Sequence, residues 1–355
     1  MTKISKRLFS GLFIAFLMLL FSGNAPAGAK SRVFILHSYE KGHVCGQPQH
    51  DGVMAVLREN GLRPGEDMVL ETFYMDTKRK NNTPQLIREQ AAIALDKVQD
   101  FAPDVLITLD DNALKHVGLE LAGTDTPVIF SGLNGQPDKY NQTRKFMDSW
   151  EHPGGNISGV YEKLHISDAA RVHSRLFSGL DKLLIIVDQS PTGRALTRQI
   201  ELEIENQGLV CAWEIKKVAS WGEYKQTIRA AGSSSQVDAI YPAALLLKDD
   251  NDRTYTAPEI FAWTREHSKK PEIALNYEFT RMGLLGGAAV DFFAMGRQAG
   301  EMALKVLEGE KAGSLPLEKA RKYALAFNLD RAEELGIHIP EEVILAADEV
   351  VRDND

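Results

Sequence analysis

Short apolar runs alternate with longer amphipathic segments along the chain after residue 30. The clearest case is 283–290, an uncharged run of small and branched residues that is typical of a strand buried on both faces. A helix is predicted to follow directly, because Asp291 is a good N-cap and apolar residues recur at helical spacing as far as Val306. Gly309 supplies the stop. This part of the chain therefore predicts a buried strand followed by a long helix.

The same alternation continues over the rest of the chain. The predicted strands are 33–37, 68–74, 104–109, 127–130, 183–187, 210–218, 237–241, 272–276, 283–290 and 323–328. The predicted helices are 49–60, 83–98, 112–121, 168–176, 192–206, 221–231, 258–267, 292–308 and 331–335. Strand–helix alternation of this kind predicts an α/β fold, in which parallel sheets are flanked by helices. The elements form two similar halves with about four strands each before residue 283.

The N-terminus has the pattern of a secretory leader. Three basic residues within the first seven positions precede an uncharged apolar run over 8–21, and small residues follow at 25–29. Cleavage is predicted after Ala27, giving a signal peptide over 1–27, although Ala29 also fits the rule. The alternative is an uncleaved membrane anchor, for which the apolar run is short, since a span needs about twenty residues. The mature protein is expected in the periplasm.

Charge and length narrow the functional class. The formal net charge is -8, and removal of the three basic leader residues makes it -11. An acidic chain without a stripe of Lys and Arg is not expected to bind nucleic acid. About 328 residues remain after cleavage, which is enough for two domains.

Two segments near the C-terminus carry a resemblance to a known family. VDFFAMGRQAGEMALKVLEGEKAGSLP (290–316) is followed by FNLDRAEELGIHIPEEVILAAD (327–348). In order and spacing they resemble the C-terminal signature of the ABC transporter substrate-binding proteins that include tryptophan- and tyrosine-binding members. The resemblance implies a two-lobed, type I periplasmic-binding-protein fold with a hinge of several crossings. On that basis the N-terminal lobe is expected at 31–155 plus 288–312, and the C-terminal lobe at 156–287 plus 320–350.

Candidate ligand contacts lie where strands end. In parallel sheets, ligands bind beyond the carboxyl ends of the strands, where loops and helix N-termini meet. Polar and aromatic residues at these ends suit a modest polar ligand with an apolar part. The candidates are Ser38, Tyr39, Asp110, Asn112, Ser131, Gly132, Asn134, Gln189, Ser190, Thr192, Tyr241, Asn276, Glu278 and Asp291.

Three of these positions leave alternatives open. Ser190 precedes Pro191 at a helix start, so it could help to hold an anion or only cap the helix. Asp110 and Asp111 could meet a ligand ammonium, bind a metal or cap the next helix. The resemblance to amino-acid-binding members favours the ammonium contact, and which aspartate points inward stays open. Asp291 could serve the hinge, the helix cap or the ligand.

Motifs for enzymes and metal sites are absent from the sequence. It contains no Gly-x-Ser-x-Gly elbow, no His-Glu-x-x-His and no P-loop. The spacing of His37, His43 and His50 matches no standard zinc pattern. The acidic run 249–252 lacks the central Gly and the final Glu of a calcium loop, so a solvated turn is the better interpretation. We therefore expect no catalysis, no metal and no cofactor.

Cys45 and Cys211 are the only cysteines. An oxidising compartment permits a disulfide. However, the two residues belong to different predicted lobes, where a bridge would restrict the hinge. Both are expected to stay unpaired.

The favoured hypothesis is a periplasmic solute-binding protein that closes around its ligand and delivers it to an ABC permease in the inner membrane. The ligand is expected to be a small, polar, amino-acid-like molecule, and aromatic amino acids belong to the expected class. The protein is expected to act as a monomer. The alternative is a sensory component that reports ligand occupancy to a membrane sensor kinase or receptor. A secreted enzyme on the same fold is the third hypothesis, and turnover of a bound ligand would establish it.

Overall fold

The structure is a computed structural model that describes residues 30–176, 179–243 and 246–352. The predicted leader lies outside these residues. Within the described ranges, no helix combines the length and the apolar character that a membrane span needs.

Strands and helices alternate through most of the described chain. The strands are β1 (Ser31–His37), β2 (Met68–Tyr74), β3 (Val105–Leu109), β4 (Val128–Leu133), β5 (Ile157–Tyr161), β6 (Lys182–Asp188), β7 (Ala212–Val218), β8 (Ala239–Ala243), β9 (Leu246–Lys248), β10 (Thr254–Thr256), β11 (Gly286–Val290), β12 (Glu318–Lys319), β13 (Tyr323–Asn328) and β14 (Glu349–Val351). The α-helices are α1 (Gly46–Glu59), α2 (Pro84–Phe101), α3 (Asp111–His116), α4 (Pro137–Thr143), α5 (Ile166–Leu176), α6 (Pro191–Gln207), α7 (Trp221–Ser233), α8 (Ala257–His267), α9 (Phe292–Leu307), α10 (Leu329–Glu334) and α11 (Glu341–Ala346). The predicted α/β class is confirmed.

The first sheet has six strands in the order β12-β5-β4-β3-β1-β2. Every neighbouring pair in it is parallel, so the carboxyl ends of the strands lie along one edge. Strands β3 and β4 are buried throughout and β1 is buried from Val33 onward, as expected when helices cover both faces of a sheet. The first lobe, as the term is used below, is this sheet with the helices that cover it.

The second lobe is built on the parallel strands β7-β6-β8 and on a group in the order β11-β13-β14. Single parallel bridges connect the two groups: Ile240 of β8 pairs with Glu272, and Ile273 pairs with Gly286 of β11. The strand predicted at 272–276 is thus present only as isolated bridges. Strand β13 runs antiparallel to β11.

Three connections join the lobes, and they differ from the boundaries expected from the sequence. Strand β5 pairs with β4 in the first sheet, although the boundary at residue 155 assigned it to the second lobe. Strand β11 pairs with β13 in the second lobe, although 288–312 was expected in the first. The short β12 returns to β5. The chain therefore crosses after Tyr161, after Val290 and after Lys319, because each of these strand ends is followed by an element of the other lobe.

Helix α9 begins as the sequence predicts. The side chain of Asp291 accepts a hydrogen bond from the backbone N–H of Ala294, 2.7 Å away, which is the geometry of an N-cap. The helix then packs along α1 of the first lobe, and glycines allow the two backbones to meet. A Cβ atom on Gly52 would lie 2.2 Å from the carbonyl oxygen of Phe293, and one on Gly296 would lie 2.1 Å from that of Gln49.

The variant Gly296→Ala should therefore lower the free energy of unfolding by about 2 kcal/mol, because α1 and α9 must move apart to admit the methyl group. Urea unfolding followed by circular dichroism measures the change. The matched control is Gly222→Ala in α7, where the nearest atom to a new Cβ is 3.7 Å away. The close-approach account is wrong if both variants are equally stable.

The acidic run that resembled a calcium loop is the turn of a hairpin between β9 and β10. The Asp249 carboxylate accepts backbone hydrogen bonds from Asn251 and Arg253, at 2.9 and 3.0 Å. The interpretation of 249–252 as a turn is confirmed, and the hairpin itself was not predicted because its strands have three residues each.

Candidate functional site

A small inner cavity lies between the two lobes, at the carboxyl ends of the strands. Its volume is about 20 Å³, which is room for about one small group. Both lobes and one of the connections contribute to its lining. The lining residues are Tyr39, Cys45, Lys78, Asp110, Asn134, Glu162, Thr192, Leu196, Leu275 and Phe292.

An outer cavity of about 240 Å³ shares Cys45 and Lys78 with the inner one. Its walls include the loop after β1 and the start of α8, with Phe279 and Leu246 from the second lobe. An apolar cavity of about 150 Å³ can hold benzene, so the outer cavity has room for an aromatic side chain.

Asp110 is the best-placed polar candidate from the sequence. It follows β3 directly with a left-handed backbone (φ +66°), and only 2% of the residue is exposed. Its Oδ1 atom accepts a hydrogen bond from Nε2 of Gln49, 3.2 Å away. Its Oδ2 atom is buried and has no hydrogen-bond partner in the described part of the chain. Burial, helped by the charge of Asp111, raises the pKa of Asp110 to about 8.

Glu162 is a second buried carboxyl in the same cavity. It follows β5 directly, at the first connection between the lobes, and it is 1% exposed. Its Oε2 atom likewise has no partner among the described residues. Burial, followed by the charges of Asp110 and Asp111, raises the pKa of Glu162 well above its ordinary value. The backbone carbonyl of Glu162 accepts a hydrogen bond from Gln199 of α6, which fixes this end of the connection on the second lobe.

One basic side chain lines the inner cavity. The ammonium of Lys78 lies 4.6 Å from the ring centroid of Tyr39, a cation–π arrangement at the boundary between the two cavities. Lys78 acts against the pKa increases of Asp110 and Glu162. The nearby thiol of Cys45 is buried, which raises its pKa and keeps it protonated, and both cysteines are free.

The structure separates the two adjacent aspartates. Asp111 does not line the inner cavity, and it orders the turn after β4. Its carboxylate accepts hydrogen bonds from the backbone N–H groups of Asn134 (3.3 Å) and Gly135 (3.1 Å) and from the hydroxyl of Tyr140. Asp110 is therefore the aspartate that lines the cavity.

Four of the candidates in the first lobe do not line the inner cavity. Ser38 donates to the carbonyl of Leu109 and accepts from the N–H of Ala113, so it joins β3 to α3. Asn112 donates to the hydroxyl of Thr77 (2.9 Å).

Ser131 and Gly132 lie in β4, and Gly132 packs against Gln49, the residue that donates to Asp110. The hydroxyl oxygen of Ser131 is buried without a partner among the described residues. Gly132 has φ +79°, and a Cβ there would lie 2.6 Å from Oε1 of Gln49.

At the start of α6, only Thr192 lines the inner cavity. Ser190 caps the helix, because its side chain accepts from the N–H of Gly193 at 3.1 Å. Its own N–H donates to Oδ1 of Asp188, at 2.8 Å. Gln189 is exposed, and its carbonyl accepts from Arg194. Helix capping thus accounts for Ser190.

The remaining candidates do not line the inner cavity. Tyr241 is 0% exposed, and its hydroxyl is buried without a partner in the described ranges. Asn276 donates to the carbonyl of Val44 in the other lobe, at 3.2 Å. Glu278 lies 3.7 Å from Arg281 in an ion pair. Asp291, as shown above, caps α9.

The sequence did not point to six of the lining residues. Glu162 was missed because β5 was not predicted, and Lys78 because it lies in a loop four residues after β2 ends. Phe292 lies in the segment 290–316 that carries the family resemblance, so a signal for it existed. Cys45 precedes α1, while Leu196 and Leu275 are apolar residues that sequence alone cannot distinguish from core.

The histidine cluster is a stacked pair. Nε2 of His37 lies 3.0 Å from Nδ1 of His50, and the rings stack at 5.2 Å between centroids. Burial lowers the pKa of both histidines. No group of three or more His, Cys, Asp or Glu side chains in the described ranges is arranged to hold a metal ion.

Comparison with known proteins identifies the family. Residues 47–351 match the family model described as ABC transporter substrate binding protein. The chain belongs to this family. Its members are solute-binding proteins, which are not a class of enzymes.

Individual relatives share the fold at low identity. A tyrosine-binding protein of Clostridioides difficile (strain R20291) is 24% identical over 216 residues, which are 60% of this chain and 58% of that relative. The alignment thus spans less than two thirds of the relative's length. The ABC domain in complex with L-Trp from Streptococcus pneumoniae is 20% identical, with a TM-score of 0.68 over 91% of this chain and 100% of that one. A conserved domain protein of Vibrio cholerae is 18% identical, with the same TM-score and coverage. The fold of this family member is that of the type I periplasmic binding proteins.

Proposed function

We propose that this protein is the solute-binding component of an ABC-type uptake system and that it holds a small, amino-acid-like ligand by its ammonium group in the cleft between the lobes. The observation that carries the proposal is the pair of buried carboxyl oxygens, Oδ2 of Asp110 and Oε2 of Glu162, which line one cavity without protein partners in the described chain. A buried carboxyl oxygen without a hydrogen bond is costly, and an ammonium supplies up to three donors.

The outer cavity suits the rest of such a ligand. It adjoins the inner one at Lys78 and has room for an aromatic ring. Relatives of this chain are described as binding tyrosine and L-Trp, which supports aromatic amino acids as members of the ligand class. The chemistry of the residues that line the two cavities is that of binding, so no turnover, cofactor or metal is included in the proposal.

Ligand binding is proposed to favour the closed arrangement of the lobes. Asp110 and Tyr39 belong to the first lobe, and Thr192 and Leu275 to the second, so a ligand in the cavity touches both. Such a ligand has more contacts when the lobes are closed, and it therefore shifts the population towards that state. The Asn276–Val44 hydrogen bond connects the lobes directly.

The lobe boundaries, location and partner are part of the same proposal. The first lobe comprises residues 31–161 and 292–319, and the second 166–290 and 323–351. The leader would direct the protein to the periplasm, where it would work as a monomer. The closed form would dock on an inner-membrane ABC permease and release its cargo there.

A thermal-shift screen tests the ligand class. The leader-free protein is unfolded and refolded to remove carried-over ligand, then mixed with amino acids, purines, sugars and small carboxylates. At a thousandfold excess over the dissociation constant, a specific ligand adds about 4 kcal/mol of stability. We expect saturable stabilisation by compounds with an ammonium group. Stabilisation by sugars or small carboxylates instead would contradict the ammonium site.

Small-angle scattering tests closure. The particle should be more compact with a compound from the screen at saturation than without it, because the ligand favours the state in which both lobes touch it. The exposed variant Asp96→Asn, which lies in α2 outside the cleft, should behave like the wild type. Equal radii in both states would count against ligand-induced closure.

A further inference from the structure

We propose that the ligand carries a net positive charge, so that it is an amine or a basic amino acid rather than a neutral zwitterion. This inference rests on the proposed function and narrows its ligand class. The geometry behind it is an imbalance in the inner cavity, which has two carboxyls with unpartnered oxygens but a single basic side chain in its lining.

The charge count favours a cation. When both carboxyls are ionised, Asp110 and Glu162 place two negative charges in a lining that contains one basic side chain, Lys78. A ligand with one net positive charge makes the closed cavity neutral. A zwitterion leaves the excess negative charge buried, and this costs free energy unless one carboxyl takes up a proton. Burial raises the pKa of Asp110 to about 8 and that of Glu162 well above its ordinary value, so the empty cavity favours the protonated carboxyls and a bound cation favours the ionised ones.

Backbone N–H groups at helix starts and turns often bind a ligand carboxylate. Near this cavity, such N–H groups already donate hydrogen bonds to carboxylates of the chain itself. Helix α6 starts at the cavity, and Asp188 accepts the N–H of Ser190 there. The turn after β4 has two N–H groups, those of Asn134 and Gly135, and both donate to Asp111. An anionic ligand group would have to displace these carboxylates.

Carboxyls also lie at two other helix starts near the cavity. At α9, Asp291 accepts the N–H of Ala294. At α1, a Cβ on Gly46 would lie 3.5 Å from Oδ2 of Asp110, which places that carboxyl against the first turn of the helix. A carboxyl thus lies at the start of each of these helices, and Lys78 is the one basic side chain in the lining of the inner cavity that could pair with a ligand carboxylate.

Pairs of compounds that differ by one charge provide the test. Tyramine is compared with tyrosine, tryptamine with tryptophan, lysine with norleucine and arginine with citrulline, each by thermal shift and then by calorimetric titration of the refolded protein. We expect the more positive member to bind at least tenfold more tightly in every pair that binds. Equal or tighter binding of the neutral zwitterions overturns the inference and leaves the proposed function standing. If none of the eight compounds binds, the result contradicts the ammonium site and therefore also this inference.

Two variants test whether a preference for the cationic compounds arises in this cavity. Glu162→Gln keeps the shape of the side chain and removes one negative charge, so it should weaken the cationic member at least tenfold and reduce its advantage over the neutral partner. Glu214→Gln is the control, because Glu214 is exposed on β7 and pairs with Lys182. The assignment to Glu162 is overturned if both variants retain the wild-type preference, and thermal unfolding confirms that each variant is folded.

Discussion

Replacing Asp110 by Asn is expected to weaken ligand binding at least 30-fold. The substitution keeps the size of the side chain and its contact with Gln49, but it removes the negative charge that faces the cavity. Losing one partner of a buried charge pair costs about 2–5 kcal/mol of binding free energy. Calorimetric titration with the best compound from the screen measures the change. Asp96→Asn, an exposed position on α2, is the control.

The same variant should be more stable than the wild type when no ligand is present. Burial raises the pKa of Asp110 from its ordinary 3.8 to about 8, so the folded state favours the protonated carboxyl. The contribution of the protonated Asp110 carboxyl to the free energy of unfolding is fully present below pH 3.8 and is lost as the pH rises through about 8. Asparagine has no such pH dependence, so its advantage should grow by roughly 4 kcal/mol between pH 5 and pH 8.

Urea unfolding of the ligand-free wild type and the Asp110→Asn variant at pH 5 and pH 8 measures this difference in stability. A variant that binds normally, or one that is less stable than the wild type at pH 8, would show that Asp110 is a structural residue and not a ligand contact.

The largest loss of stability is expected for Arg331→Met. Arg331 is 3% exposed and Glu272 is 0% exposed, and their side chains form two hydrogen bonds at 2.6 and 3.1 Å. A third bond, from Arg331 to the carbonyl of Ser268, is 3.0 Å long. Without the guanidinium, the carboxyl of Glu272 stays buried and loses its charged partner. Burial already raises the pKa of this carboxyl. Removing one partner of such a pair costs about 3–5 kcal/mol.

The double variant Arg331→Met with Glu272→Leu should recover much of that loss, because apolar residues of similar volume can replace a buried ion pair. The control for a surface pair is Arg63→Met, since Arg63 and Glu66 are 59% and 63% exposed and should contribute less than about 1 kcal/mol. Equal unfolding midpoints for Arg331→Met and Arg63→Met would refute the buried-pair account.

The architecture followed from the sequence because helices and strands of this fold have strong, distinct periods. Strand β13 (Tyr323–Asn328) and the capped helix α9 were predicted with the correct ends, or within a residue of them. Prediction failed where pairing partners decide the structure. Strand β5 has five residues and a central glycine, and it is a strand because β4 and β12 lie on either side of it. The helix predicted at 112–121 divides into α3 and a 3-10 turn over Gly118–Leu121.

The candidate site was predictable to the extent that it lies at strand ends. That rule found Tyr39, Asp110, Asn134 and Thr192, all of which line the inner cavity. It could not find Glu162, since the position has meaning only once β5 is known to belong to the first sheet. Nor could it distinguish Asp110 from Asp111, because the hydrogen bonds of Asp111 to the turn after β4 depend on the tertiary structure.

A structure of the protein crystallised with the compound that stabilises it most would test the central claim most directly. The account predicts one molecule between the lobes, with its ammonium nitrogen about 2.8 Å from both Oδ2 of Asp110 and Oε2 of Glu162. Its apolar part should lie in the outer cavity beside Phe279. A ligand bound outside the cleft, or one that places a carboxylate against these two acids, would contradict the account.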